Sequence, residues 1–390
     1  MKRPTMSPGD DVAGTERSGR PRRAAAKGRW LRGVALALAL TTGGPLVGSA
    51  QASTPTSVVA HRDSYYVALG DSYSSGNGLV PLLPGSGQCA RSYAAYPEIV
   101  ARTLGFAHLT FLACSGATVA AVRAQALRVK SDLRRARLVT LSAGGNDLPF
   151  SGLSEACIGL VDSVAATSIR YLPDVSGVAP CDAAIMKATA LLGATLDPTT
   201  NLVVPSAASV TLSLSHPSIL ERRLDALFRT VLGAMGALRA PISNGPLVVV
   251  QYPTLLHHVG GGNCLLTPNP LVLPVPSAPT PVYLGFNSAS ASDLVQINQL
   301  LQRETSVVVA NLRRQGMSRM MVVGAPSSFQ PLDCNRGTSA DLNGIVLGSS
   351  IQGVASASLH PTAAGQSVLA DAVINRWRAL ARRGVLAVSG

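Results

Sequence analysis

The chain of 390 residues predicts an α/β protein built on a parallel sheet, and three observations carry that reading. Short apolar runs alternate with segments of helical spacing between residues 64 and 142, the strand–helix–strand order of βαβ units. The first three runs each end on a cluster of Gly, Ser, Asp or Asn, where a buried strand meets a turn. Apolar residues make up 47% of the chain against 14% charged, enough to bury a large core.

The elements follow in chain order. Residues 1–32 are basic and rich in Pro and Gly, the apolar run Val34–Leu40 follows, and Ala50-Gln51-Ala52 offers a small-x-small cleavage site. That order is the pattern of a secretory signal, and the run is well short of the ~18 residues a membrane span needs. The expectation is removal of residues 1–52 near Ala52 and release of one secreted domain, residues 53–390; Arg22-Arg23 leaves the export route open. Ser64–Leu69 reads as the first buried strand, running into Gly70-Asp71-Ser72. A loop over 74–91 leads to a helix within Ser92–Leu104. Leu109–Ala113 is the second strand, closed by Cys114-Ser115-Gly116, and Val119–Val129 a helix. Leu138–Ser142 is the third strand, ending on Gly144-Gly145-Asn146-Asp147. Residues 165–212 give no clear pattern, whereas Pro217–Leu238 has an amphipathic helical spacing. Leu247–Tyr252 and Arg319–Val323 read as two further strands, Ala291–Arg314 as a helix, and Pro361–Arg382 as a last helix with proline at its start.

Composition narrows the function classes. The net charge is +13, but nine basic and three acidic residues in 1–52 account for about half of it. With aromatics at 4% and no basic helix, nucleic acid is not an expected partner; transient contact with lipid surfaces is compatible with the charge. All six cysteines follow residue 52, so three disulfides are expected in an exported chain, with 15 connectivities open to them. CxxC pairs, Cys/His clusters of zinc spacing, P-loop, HExxH and GxSxG motifs are missing, so neither a metal nor an organic cofactor is expected.

The strand ends carry the chemistry. In a parallel sheet ligands bind beyond the carboxyl ends of strands, which gathers Ser72, Gly116 and Asn146 on one rim. A Ser hydroxyl becomes a nucleophile when a base lies within hydrogen-bond reach. Of six histidines, His360 stands at the entry to the last helix, on that same rim, whereas His108 begins a strand and His257-His258 sit in a loop. Donors for a developing oxyanion are the backbone N–H groups of Ser72 and Gly116 and the Asn146 side-chain amide. Asn146 also suits a helix cap, and Asp71 and Asp147 read as structural hydrogen-bonders.

Gly70-Asp71-Ser72-Tyr73, Gly116, Gly144-Gly145-Asn146-Asp147 and His360-Pro361 together resemble the four blocks of the SGNH (GDSL) hydrolases, and within them secreted actinobacterial lipases and esterases. The resemblance implies a three-layer α/β/α sandwich with a mainly parallel five-stranded sheet. It implies Ser72 as nucleophile, His360 as base, and Ser72, Gly116 and Asn146 as the oxyanion hole. It also implies the bridges Cys89–Cys114, Cys157–Cys181 and Cys264–Cys334. Where many members carry Asp three residues before the His, this chain has Ala357, so the expectation is that the Ala357 carbonyl accepts from His360 Nδ1. The implied activity is carboxylic ester hydrolysis through an acyl-enzyme, on a small-molecule or lipid ester, by a monomer without cofactors. A carbohydrate esterase, a phospholipase, or a non-catalytic binding protein on the same scaffold are the alternatives.

Overall fold

The strands that carry the candidate residues lie side by side. The computed structural model describes residues 64–148, 153, 156–161, 169–171, 181–196, 203–205, 217–236, 238–242, 245–258, 262–269, 283–345 and 357–386. The expected signal and cleavage site lie outside the described residues. The elements below belong to one compact unit, Ser57–Gly390.

Five strands form the central sheet: β1 (Tyr65–Leu69), β2 (His108–Phe111), β3 (Ala136–Leu141), β4 (Leu247–Val250) and β5 (Met320–Val323). Their order is β5-β4-β3-β1-β2, and every pairing is parallel. β4 is buried along its whole length, as its Leu-Val-Val-Val sequence requires of a strand covered on both faces. Five of the helices are labelled α1 (Tyr96–Leu104), α2 (Val119–Arg128), α3 (Ile219–Ala234), α4 (Ser288–Arg314) and α5 (Ala363–Arg382). Right-handed crossovers decide where they lie. The step from β1 to β2 runs one way along the sheet and every later step runs the other, so α1 falls on one face and α2, α3 and α4 on the opposite one. Accordingly α5 packs on α1, and α3 packs on both α2 and α4. This is the expected three-layer α/β/α arrangement.

The helix starts follow from capping. Ser218 and Glu221 form a capping box at α3, so that helix begins at Ile219, two residues after the expected proline. Thr118 caps α2 and Thr362 caps α5, each accepting a backbone N–H three residues on, and Pro361 therefore precedes the last helix. Leu220, Leu224, Leu227, Phe228 and Val231 make the buried stripe of α3.

The stretch without a clear pattern contributes part of a second sheet. Cys264–Leu265, Tyr283–Phe286, Gly159–Val161 and Ile169–Tyr171 pair antiparallel in that order, and Cys181–Leu191 is a helix. Strands this short carry too few residues for an alternating pattern to show. The three disulfides join Cys89 to Cys114, Cys157 to Cys181 and Cys264 to Cys334, as the resemblance implied.

Candidate active site

Beyond Leu69 the chain turns at Gly70, whose φ of 131° suits glycine alone. A Cβ there would stand 2.7 Å from Ser74 Oγ and 2.8 Å from the Ser142 backbone nitrogen. Gln125 of α2 clasps this turn: Gly70 N–H donates to its Oε1 and its Nε2 donates to the Gly70 carbonyl, both at 2.9 Å. Ser72–Ser75 then form a single helical turn, capped by the Asp71 carboxylate on the Tyr73 N–H at 3.1 Å and closed by Gly76 in the left-handed region. Ser72 is the first residue of that turn, where no preceding helical carbonyl can engage its N–H.

Asp71 is fully buried and serves as a structural hydrogen-bonder, as read from sequence. Its carboxylate accepts from Ser142 Oγ at 2.6 Å and from the Tyr252 hydroxyl. Burial pushes this carboxyl above its ordinary range, and the bonds from Ser142, Tyr252 and the Tyr73 N–H pull it back. Tyr252 in turn accepts the Gly145 N–H at 2.9 Å, so one side chain after β4 joins the Asp71 turn to the Gly144-Gly145-Asn146-Asp147 loop.

His360 Nε2 lies 2.8 Å from Ser72 Oγ, across 288 residues of sequence. Its Nδ1 lies 2.9 Å from the carbonyl oxygen of Ser358. A carbonyl can only accept, so Nδ1 carries the hydrogen and Nε2 offers a lone pair to the serine. The expected acceptor, Ala357, is thereby corrected: its carbonyl receives the His360 backbone N–H at 3.0 Å instead. The reason is local geometry. Leu359 takes a left-handed φ of 56°, folding residues 357–360 into a tight turn that presents the Ser358 carbonyl to the ring. Tyr73 holds this turn, its hydroxyl donating to the Leu359 carbonyl at 2.6 Å while its ring lies 5.1 Å from the imidazole. Burial pulls His360 below the usual imidazole value, partly offset by the Ser358 carbonyl. Burial thus favours the neutral ring, the form that can take up a proton.

Gly116 and Asn146 lie at the ends of β2 and β3. Gly116 has φ 76°, and the space its missing Cβ would occupy is open. Among the described residues, neither the Gly116 N–H nor the Ser72 N–H has a protein acceptor. Asn146 spends one amide hydrogen on the Ala117 carbonyl at 3.1 Å, leaving its second for another acceptor. That bond ties Asn146 to the Gly116 loop. Asp147 does the same from the other side, accepting the Val119 N–H at 2.7 Å and an Arg223 N–H at 3.0 Å. Asp147 is structural, as read from sequence.

Sequence reasoning missed Gln125, Ser142, Tyr252, Ser358 and Gln366. Gln366 is fully buried on α5, where it accepts the Tyr96 N–H at 2.8 Å and donates to the Tyr73 carbonyl at 3.0 Å. A buried neutral amide that close to the His360 block was the one available signal. Clusters of three or more His, Cys, Asp or Glu able to hold a metal are missing among the described residues.

The model of the GDSL-like lipase/acylhydrolase family matches residues 68–368. Lipase 1 and Lipase 2 of Streptomyces coelicolor are 38% identical over 128 residues and 44% identical over 117, covering 33% and 29% of this chain and 46% and 37% of theirs. A lipase of Streptomyces rimosus is 34% identical over 162 residues, 42% of this chain and 53% of its own. The matches thus span about half or less of these relatives. The crystal structure of phospholipase A1 from Streptomyces albidoflavus NA297 shares the fold with a TM-score of 0.51 at 23% identity, over 80% of this chain and 98% of that one. The extracellular lipase from Streptomyces rimosus gives 0.50 at 21% identity, over 81% and 99%.

Proposed function

The chain belongs to the GDSL-like lipase/acylhydrolase family, and on that premise we propose that it is a carboxylic ester hydrolase working through an acyl-enzyme on Ser72. The observation that carries the proposal is the 2.8 Å contact between Ser72 Oγ and a buried His360 whose other nitrogen is fixed by Ser358. Ser72 Oγ attacks the ester carbonyl as His360 Nε2 takes its proton. The tetrahedral oxyanion accepts from the N–H groups of Ser72 and Gly116 and from the free amide hydrogen of Asn146. Collapse expels the alcohol, which receives the proton from the imidazolium. A water molecule, deprotonated by the same histidine, then attacks the acyl-serine, and the carboxylic acid leaves. The Ser358 carbonyl stabilises the imidazolium as a dipole only, less than a carboxylate would.

We further propose that residues 53–390 act as one secreted domain after cleavage near Ala52. The activity test uses short p-nitrophenyl esters. Ser72→Ala and His360→Ala are each expected to lower kcat by about 10³-fold or more, with the fold kept. Near-full hydrolysis by either variant overturns the assignment, and a folded wild-type chain that does not react covalently with a fluorophosphonate at Ser72 favours a binding role instead.

A further inference from the structure

Of the seven large apolar side chains that stand exposed among the described residues, three belong to one loop: Val80 at 82%, Leu82 at 41% and Tyr93 at 43%. The loop leaves the Ser72 turn at Gly76, runs through Leu79-Val80-Pro81-Leu82-Leu83-Pro84, and returns along Arg91-Ser92-Tyr93. It is a braced spur. Leu83 N–H donates to the Arg91 carbonyl at 2.7 Å, Tyr93 N–H to the Pro81 carbonyl at 3.1 Å, and Ser92 N–H to the Ser75 carbonyl at 2.9 Å. Leu82 and Ser92 form an antiparallel bridge, and Cys89 is tied to Cys114.

We propose that this spur docks the molecule on a phospholipid surface. Val80, Leu82 and Tyr93 stand exposed on one braced loop, and a fluid acyl boundary accommodates such side chains without a matching protein surface. Tyr93, with an apolar ring and a polar end, has the chemistry favoured at the headgroup level. The charge at the margin fits phosphate headgroups: from Ser72 through Pro97 the only charged residue is Arg91. Arg102, which donates to the Tyr93 carbonyl at 3.3 Å, is offset by Glu98 at 3.4 Å, so the net positive charge at this margin comes from Arg91. Because the spur grows from the C-terminal end of the Ser72 turn, seating it on lipid brings the rim of the sheet to the membrane. The docking rests on the proposed ester hydrolysis for its purpose alone.

The test separates the two. Full-length Ser72→Ala protein, with and without Val80→Asp and Leu82→Asp, is sedimented with vesicles of phosphatidylcholine containing a minority of phosphatidylglycerol. Salt is held at about 1 M, where charge attraction is screened within about 3 Å. Partition is expected to be at least about tenfold weaker in the double-Asp protein, at an unchanged thermal midpoint. Any contribution from residues 1–52 is common to both proteins. In a second measurement, the fluorescence of Tyr93→Trp protein is expected to be quenched by brominated phosphatidylcholine well beyond that of the parent. Equal partition of the two proteins, or an indole that brominated lipid does not quench, overturns the docking. Loss of self-association in the double-Asp protein with vesicle binding intact overturns it too, in favour of a second copy. None of these readouts depends on ester cleavage.

Discussion

Replacing Tyr252 with Phe removes one oxygen and leaves the ring, which packs edge-on against Tyr73 with centroids 4.9 Å apart. Two partners lose by it. Asp71, fully buried, loses one of its three donors, and the buried Gly145 N–H loses its acceptor at 2.9 Å. A buried group left unpaired costs about 1–3 kcal/mol, and more when charged, so the variant should be destabilised by roughly 3–5 kcal/mol. The pH dependence has a definite sign. Burial already raises Asp71, and losing a donor raises it further. A carboxyl whose folded value lies above its unfolded one is relieved by protonation, so the deficit should be largest at neutral pH and shrink as pH falls through the raised value. Urea unfolding followed by far-ultraviolet circular dichroism at neutral and acidic pH measures both effects. Since Gly145 adjoins Asn146, kcat on a soluble ester should fall more than KM rises. A loss of stability below about 0.5 kcal/mol, the spread of ordinary surface substitutions, would refute the view that Tyr252 holds the two loops together.

Two further outcomes follow from the same geometry. Asn146→Ala removes one of the three proposed oxyanion donors and should lower kcat by about 10²–10³-fold with little change in KM, read from steady-state kinetics; equal losses in both would point to substrate binding instead. The second concerns His360, which burial holds below the ordinary imidazole value of 6.5. In the proposed mechanism the neutral form is the active one, so kcat/KM should rise with pH and level off, its acid midpoint below 6.5. For the same reason the unfolded chain binds more protons just below 6.5, so this group's share of stability is complete above 6.5 and is lost as pH falls toward the folded value. A midpoint at or above 6.5 would contradict the burial argument.

The legible parts of this molecule are those that local chemistry punctuates. Each of the first three central strands is an apolar run leading to a turn of Gly, Ser, Asp or Asn, so these strands and the positions of Ser72, Gly116 and Asn146 could be read from sequence. His360 followed from its place at the entry to a helix. Its acceptor did not, because choosing Ser358 over Ala357 depends on a left-handed φ at a leucine, a conformation the sequence of that turn does not announce. Gln125, Tyr252 and Gln366 were hidden for another reason. Each is a neutral side chain that reaches a partner at least 55 residues away, and no spacing rule links such pairs. The short antiparallel strands at 159–161 and 169–171 were missed because three residues cannot show a period of two.

The Gln366 amide sets an order of assembly. It joins the Tyr73 carbonyl to α5 across 293 residues, and the imidazole that faces Ser72 is supplied from the same end of the chain. A polypeptide lacking residues 358–382 would carry Ser72 on a turn with the Gln366 anchor gone and no imidazole opposite. On the proposed mechanism, Ser72 is activated only once residues 358–382 have folded against its turn.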